Sequence, residues 1–251
     1  MTRRMMSVTR PASPATKPMF TRLLTSAVFA GAATGLIAAL LQLYFMQPVL
    51  LHAELYESGE LVHFGATSTV SAHHDLPRFD AVRDLLSIGF VMVVYAGYAM
   101  VLLALMALAE GRGATITTRT GLTWGLAGFI AVQLAPGFTL APEVPGVAAG
   151  DIYARQVWWY ATVFAAGTAM WLVAFGGNWL AWGTAVVLLL APHVVGAPEP
   201  EVFTGPVPTE IGALFAARAF GVGMAAWVML GAFSGYLWSR EIAPERQTQS
   251  A

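Results

Sequence analysis

The sequence predicts an all-α integral membrane protein with about six transmembrane helices, or five if one apolar segment is re-entrant, and with both termini in the cytoplasm. Composition is the first observation: 57% of the 251 residues are hydrophobic and 11% are charged, whereas a typical soluble domain has about 25% charged residues. The second is that the apolar sequence forms uncharged runs of the roughly 20 residues that cross a bilayer. The third is the uneven placement of the few charges, which predicts the orientation.

Uncharged runs supply the predicted helices in order along the chain. Four are separate, at residues 23–46, 85–109, 120–142 and 219–239, and the last of these is predicted to start near residue 211. Residues 156–198 lack Asp, Glu, Lys and Arg over 43 positions, which is too long for one span. Gly176-Gly177-Asn178 lies near the middle of this run, and such a cluster predicts a tight turn between two helices.

The charges are distributed asymmetrically across six such spans. The segments predicted to lie inside carry 9 of the 13 basic residues and 3 of the 14 acidic ones, so the outside segments carry 4 basic and 11 acidic residues. Cytoplasmic segments of membrane proteins are enriched in Lys and Arg. All five histidines fall in the outside segments. This asymmetry favours an even number of crossings with both ends inside.

The predicted organisation is a single membrane domain with two tails. Residues 1–19 form a basic tail that is rich in Pro, Ser and Thr and predicted to be disordered. Residues 20–239 form the transmembrane domain, with one sizeable outer loop at 52–83, and residues 240–251 form a cytoplasmic tail. The first apolar run is longer than the core of a signal peptide, which favours a retained helix.

A repeated phrase closes two of the apolar runs. Leu134-Ala135-Pro136 and Ala141-Pro142-Glu143 recur 56 residues later as Leu190-Ala191-Pro192 and Ala197-Pro198-Glu199. In each copy, a proline is predicted to break a helix, to free backbone carbonyls and to deliver a carboxylate just beyond. His193 follows the second proline, and Gln133 lies one turn inside the first. The alternative is that the prolines simply end helices and that both glutamates are interfacial.

The outer loop is a second candidate site. It contains His52, Glu54, His73 and His74, and imidazole with carboxylate suits cobalt, nickel or zinc. The spacing matches no strict ligand motif, so a solvated acidic loop with scattered histidines is the alternative. There is no cysteine, which excludes thiolate metal ligands and disulfides.

The start of the fourth span is the third polar cluster. Asp151 and Arg155 are spaced as an i, i+4 pair and Gln156 follows, while Trp158 and Trp159 are predicted to anchor the helix at the membrane interface. Small residues four apart predict close helix packing rather than chemistry. They occur at Gly31 and Gly35, Gly121 and Gly125, and Gly231 and Gly235.

The sequence gives no support for an enzyme. A nucleotide-binding glycine loop, a nucleophile paired with a base and a basic aromatic nucleic-acid surface are all lacking from it. The polar residues described above therefore favour transport or binding.

Several phrases spread over the chain after residue 20 resemble the CbtA family of predicted cobalt transporter subunits. The phrases are Arg22-Leu23-Leu24, Gln42-x5-Pro48, His52-Ala53-Glu54-x-Tyr56-Glu57, Trp124-Gly125-x-Ala127-Gly128-Phe129, Leu134-Ala135-Pro136, Ala141-Pro142-Glu143-x-Pro145-Gly146, Ala154-Arg155-Gln156-x-Trp158-Trp159, Pro192-His193-x-x-Gly196-Ala197-Pro198 and Val207-Pro208-x-Glu210.

The resemblance implies a multi-pass protein of the bacterial inner membrane that takes up cobalt for cobalamin synthesis. It implies a small single-span partner, CbtB, with a histidine-rich end. Some members carry a long histidine-rich insertion in the first outer loop, of which this chain keeps only His73-His74. That difference shifts the expected metal ligands toward His193, Glu143 and Glu199.

The leading hypothesis is a subunit of a divalent metal uptake transporter, with cobalt(II) or another divalent cation as the transported ligand and no permanently bound cofactor. His193, Glu143, Glu199, His52, Glu54, His73 and His74 are the candidate metal ligands. Gln133, Pro136, Pro192, Asp151, Arg155 and Gln156 are the candidate path residues. The alternative is a non-transporting accessory subunit of a membrane complex, and a homo-oligomer is compatible with either; nucleic acid is not an expected partner.

Overall fold

All the elements in the described residues are helical. The structure is a computed structural model, and it describes residues 18–62, 80–203 and 205–249. The α-helices are α1 (Met19–Leu41), α2 (Gln47–Glu57), α3 (Ala81–Glu110), α4 (Thr118–Phe129), α5 (Ala135–Thr139), α6 (Ile152–Phe175), α7 (Trp179–Val195) and α8 (Thr209–Gln249). Two single π-helical turns join α1 to α2 and α4 to α5; they are called the first π-turn (Gln42–Met46) and the second π-turn (Ile130–Leu134).

Five helical segments in the described residues are long and apolar enough to cross a membrane, which confirms the all-α membrane fold. They are Met19–Glu57, Ala81–Glu110, Thr118–Thr139, Ile152–Phe175 and Thr209–Glu241. The remaining predicted span is α7, which has 17 residues. At about 1.5 Å per residue it extends for about 25 Å, which is shorter than a hydrocarbon core of about 30 Å.

The predicted turn within the long uncharged run is confirmed. α6 ends at Phe175 and α7 begins at Trp179. Gly177 has a φ of +65°, and the Asn178 side chain caps α7 by accepting a hydrogen bond from the Ala181 N–H at 2.8 Å. The two helices therefore form an antiparallel hairpin.

Several helices extend further than the sequence predicted. The first helical segment continues to Glu57, so residues 52–57 of the predicted outer loop are helical, and α3 already begins at Ala81. At the other end of the chain, α8 continues to Gln249, through most of the predicted tail.

Glycine pairs set the closest helix contacts, as predicted. A Cβ on Gly31 would lie 2.3 Å from the Cα of Ala96, so α1 packs backbone to backbone on α3. A Cβ on Gly121 would lie 2.3 Å from the carbonyl oxygen of Gly231, and α4 is held equally close to α8. α1, α3, α4 and α8 form the main core, and the α6–α7 hairpin packs against the second π-turn and α5.

The prolines were predicted to break helices, and the structure shows a different effect. Pro48 and Pro136 each lie in the first turn of the helix that follows a π-turn. A proline lacks the N–H that an α-helical turn needs, and a π-turn is one way for the backbone to absorb the mismatch. Pro192 lies inside α7, which continues to Val195 and is followed by Gly196, where φ is +88°.

Candidate functional site

One end of the bundle gathers the polar residues that the sequence singled out. It is formed by the ends of α2, α5 and α7 with the starts of α6 and α8, and it is called the His193 end. The segment between α5 and α6 closes over it at Gly146, where φ is +81° and a Cβ would lie 2.8 Å from Cγ2 of Val207 and 3.2 Å from Cβ of Glu57. The Pro-Gly step in this segment is therefore a packing requirement.

His193 joins three helices at this end. Its Nδ1 lies 2.8 Å from Oγ1 of Thr139 at the end of α5. The ring packs edge-on against Phe138 at a centroid distance of 5.3 Å and lies 6.0 Å from the ring of Trp158 in α6. If Nδ1 donates its proton to Thr139, Nε2 is the nitrogen that can bind a metal, which is the usual arrangement for a histidine ligand.

Trp158 is a structural support for this site. The prediction that it anchors α6 at the interface is wrong, because its side chain is 8% exposed and packs inside the protein. Its Nε1 donates to the carbonyl oxygen of Pro192 at 3.1 Å, which ties the start of α6 to the last turns of α7. This hydrogen bond fixes the position of Pro192, the residue before His193.

Glu143 forms an ion pair with Arg155. Nη2 of Arg155 donates to Oε2 of Glu143, and the two side chains are 19% and 32% exposed. The predicted partner of Arg155 was Asp151, which instead caps α6 by accepting from the Ala154 N–H at 2.9 Å. Nε of Arg155 is buried, and no hydrogen-bond partner for it exists in the described part of the chain.

The second copy of the phrase is placed differently from the first. Glu199 is exposed, and only its backbone packs, with its carbonyl oxygen 3.1 Å from where a Cβ of Gly150 would lie. Within residues 18–62, 80–203 and 205–249, no group of three His, Asp or Glu side chains is placed so that it could hold a metal ion. The set of His193, Glu143 and Glu199 stays a prediction.

The candidate ligands of the outer loop are only partly visible. His52 lies on α2 with its ring 5.5 Å from that of Tyr56, and Glu54 is exposed on the same helix. His73 and His74 lie outside the described residues.

A cleft of about 400 Å³ lies between the two π-turns and is open to the outside near Phe90, which is 71% exposed; it is called the inner cavity. Its polar lining consists of neutral side chains: Gln42, Gln133, Tyr95 and Tyr98. Apolar and aromatic side chains form the rest of the wall, among them Met46, Phe90, Val94, Trp159, Val222 and Trp227. The sequence pointed to Gln133, which lies three residues before Pro136, whereas Gln42 lies six residues before Pro48.

Gln133 is held in one orientation. Its Nε2 donates to the carbonyl oxygen of Ala219 in α8 at 2.8 Å. Gly223 makes room for this amide, because a Cβ there would lie 2.0 Å from Oε1 of Gln133. The amide oxygen is the remaining acceptor of this side chain.

Arg218 in α8 adjoins the cavity lining in sequence but binds to the backbone of the first π-turn instead. Arg218 precedes Ala219, and its Nη1 donates to the carbonyl oxygen of Phe45 in the first π-turn at 2.7 Å. This contact supplies a donor to the irregular backbone of the π-turn, and Arg218 is not part of the cavity lining. The predicted position of Arg218 inside the first turns of the last span is confirmed.

A smaller pocket of about 210 Å³ lies next to the inner cavity along α6. Its lining includes Leu140, Arg155 and Gln156. Trp159 lines both this pocket and the inner cavity. One face of α6 therefore leads from the His193 end to the space between the π-turns.

Asp84 is a buried carboxylate that the sequence did not single out. Its side chain is 4% exposed, and it accepts hydrogen bonds from Gln47 Nε2 and from Arg83 Nε, both at 2.8 Å. The second carboxylate oxygen accepts from the backbone N–H of Asp80 at 3.3 Å. The bond from Gln47 joins the start of α3 to the start of α2. The sequence does not distinguish Asp84 from an ordinary interfacial residue, because it directly precedes an apolar run.

The chemistry of the two polar regions differs. The His193 end offers an imidazole and a carboxylate, which are ligands for divalent first-row metals. The inner cavity offers neutral amide and hydroxyl oxygens.

A family model described as "Probable cobalt transporter subunit (CbtA)" matches residues 20–239. The match covers most of the chain, which therefore belongs to the CbtA family. No curated protein and no solved structure gives a significant match.

Proposed function

We propose that this member of the CbtA family is the membrane subunit of a divalent metal uptake transporter in the bacterial inner membrane. Its substrate is cobalt(II), as the family description suggests. The metal is captured at the His193 end, which faces the periplasm.

One observation carries this proposal: two helical segments, each interrupted by a π-turn and a proline, face one cavity that adjoins the His193 end. Irregular backbone inside a membrane is tolerated where protein or water surrounds it, and interrupted helices commonly form substrate sites in transporters. A bundle that only filled space in a complex would have no need for such interruptions.

Capture begins by an exchange of cations on Glu143. Arg155 neutralises this carboxylate in the metal-free protein. An arriving divalent cation replaces the guanidinium and adds His193, which lies near the end of α7 at the same end of the bundle, as a nitrogen ligand. Glu199 and the loop and α2 residues His52, Glu54, His73 and His74 increase the local metal concentration through charge and weak coordination.

The metal then moves along α6 toward the π-turns. Asp151 fixes the start of this helix, and Arg155 and Gln156 line the pocket that leads inward. Pro192 positions His193, while Pro136 follows the π-turn that carries Gln133 into the inner cavity. For a divalent cation, a membrane potential of 100 mV provides about 4.6 kcal/mol of driving force.

Both termini lie in the cytoplasm in this proposal, which requires α7 to cross the membrane. The hydrogen bond from Trp158 to Pro192 supports a return of α7 to the end from which α6 starts. A local thinning of the bilayer accommodates its 17 residues. Reporter fusions at Ser71 and Ala251 are expected to lie on opposite sides of the membrane, and equal sidedness would rule out an even number of crossings.

A small single-span subunit of the CbtB type is the proposed partner. The poor packing of α7 favours an association of this kind, because only Ala185 among its residues is buried within the chain. The same observation favours the second candidate function, that of a non-transporting accessory subunit whose exposed α7 docks on a larger complex.

Uptake of radiolabelled cobalt into proteoliposomes tests the proposal. The chain is reconstituted alone and together with the small subunit, and empty liposomes are the control. Cobalt accumulation that depends on this chain is the expected result. Retention of the chain in a large complex that moves no metal would support the accessory function instead.

A further inference from the structure

The inner cavity is polar in a way that helix packing does not require. The side-chain amide of Gln42 and the hydroxyls of Tyr95 and Tyr98 line it, and none of the three has a hydrogen-bond partner within the described ranges. Polar groups at membrane depth without partners cost several kcal/mol each. Water or a polar ligand must therefore occupy this space.

We propose that the inner cavity is a second station for the transported divalent cation, which sits there with its water shell intact. This inference rests on the proposed function and adds to it a site without carboxylate or imidazole ligands. The substrate species is the hydrated cation, and its contacts are neutral acceptors on Gln42, Gln133, Tyr95 and Tyr98.

The volume is sufficient for such a species. Six waters occupy about 180 Å³ at about 30 Å³ each, and the cavity has about 400 Å³. A divalent cation that keeps six waters therefore fits, with space for a few more waters between its shell and the wall.

The lining also supplies hydrogen-bond acceptors, which are the groups that a hydrated cation needs. Waters bound to a cation point their hydrogens outward, so the surrounding wall must supply acceptors. Gln133 directs one N–H of its amide to the Ala219 carbonyl, and its amide oxygen is available as an acceptor. The tyrosine hydroxyls and the Gln42 amide supply further oxygens, and Arg218 is committed to the Phe45 carbonyl.

A route connects this station to the capture site. Trp159 lies four residues, or one helical turn, beyond Arg155 on the same face of α6. It forms a wall common to the inner cavity and to the smaller pocket of about 210 Å³. Arg155, the partner of Glu143, lines the smaller pocket, so Trp159 separates a cation released there from the inner cavity. Neutral ligands then bind it weakly enough to let it leave, as conduction requires.

The chain contains no cysteine, so a single introduced cysteine is the only thiol that a labelling reagent can modify. Val94 lines the inner cavity, whereas the adjacent Val93 is 71% exposed on the outer surface of α3 and faces lipid. Val94→Cys and Val93→Cys are made singly in the full chain, reconstituted in vesicles and treated with a small cationic methanethiosulfonate. Modification at position 94 is expected to be at least about tenfold faster, because the reacting thiolate needs water.

Occupancy by the cation is then measured by protection with cobalt(II). At a concentration ten times its Kd, cobalt is expected to slow the modification of Val94→Cys about tenfold, because only the free cavity reacts. Cobalt bound to the introduced thiol alone would protect equally well in a Val94→Cys/Gln42→Leu double variant. The proposal instead predicts that Gln42→Leu removes most of the protection.

Three results would overturn the inference: no preference for position 94 over 93, no protection by cobalt, or protection that survives Gln42→Leu. The first would mean that lipid or a partner helix fills the cavity. Cobalt flux in the same vesicles separates this failure from failure of the proposed function. Flux without labelling at position 94 removes only the inner station, whereas loss of flux in the presence of the small subunit removes the function itself.

Discussion

The His193 end and the inner cavity are both polar regions of an apolar protein, but they differ in charge. The His193 end contains the ion pair of Glu143 with Arg155 and, separately, the histidine bonded to Thr139. The inner cavity holds amides and hydroxyls only. Charged ligands bind a divalent cation tightly and neutral ones bind it weakly, so the first region suits capture and the second suits passage. The predictions below test this division, from the largest expected effect to the smallest.

Gly223→Ala is expected to have the largest effect. The new Cβ would displace the Gln133 amide and break its hydrogen bond to the Ala219 carbonyl. Cobalt uptake should fall about tenfold or more, because a Cβ only 2.0 Å from Oε1 of Gln133 forces the amide to move, and overpacking of this kind typically costs about 1–3 kcal/mol. Gly221→Ala is the matched control on the same helix, because nothing lies within 4 Å of its Cβ position. Equal uptake by both variants would separate the inner cavity from transport.

Glu143→Gln is expected to weaken capture while leaving the fold intact. Expression and oligomer size should be unchanged, because the side chain is partly exposed and its removal leaves the helix packing in place. Uptake at limiting cobalt should fall about tenfold, the effect of losing one charge-assisted interaction of roughly 1.5–3 kcal/mol. Glu199→Gln should act in the same direction if that carboxylate joins the site. Normal uptake by Glu143→Gln at limiting cobalt would place the capture site elsewhere.

His193→Ala is expected to lower uptake at limiting cobalt and to reduce its pH dependence. A ligating imidazole must be neutral, so protons compete with metal and affinity falls as the pH falls. Uptake by the wild type should therefore be lower in acidic than in neutral buffer. The variant, already lacking this ligand, should show a smaller drop. An identical dependence of uptake on pH in both proteins would exclude competition between protons and metal at His193.

The double variant His73→Ala/His74→Ala is expected to have the smallest effect. These residues increase the local metal concentration in the proposal, so their loss should matter only at the lowest cobalt concentrations. Uptake curves from trace to saturating cobalt make the comparison. If this variant fails while Glu143→Gln and His193→Ala transport normally, the loop is the determinant and the repeated phrase marks only two helix ends.

Much of the fold follows from the sequence because uncharged runs and turn residues act locally. Gly176-Gly177-Asn178 produced the predicted turn, and the glycine pairs packed as their spacing indicated. The extension of the first helical segment to Glu57 depends on contacts that the sequence does not show. Val49, Ala53 and Tyr56 of α2 pack against Val144 and Val207, which come from distant loops.

The site was less predictable for the same reason. Arg155 pairs with Glu143 across a loop, because Asp151, the nearer acid, is occupied with capping α6. Local spacing could not show that competition. The repeat of the Leu-Ala-Pro phrase suggested two equivalent exits, whereas only Pro136 follows a π-turn, and Pro192 lies within a continuous helix.

The division between capture and passage is tested most directly by initial rates of cobalt influx into proteoliposomes, measured over a range of cobalt concentrations. Glu143→Gln is compared with the double variant Gln42→Leu/Gln133→Leu. The account predicts that Glu143→Gln raises the half-saturating cobalt concentration about tenfold and leaves the maximal rate near that of the wild type. The cavity variant should lower the maximal rate and leave the half-saturating concentration nearly unchanged. Equal changes of the same parameter in both variants would contradict the account.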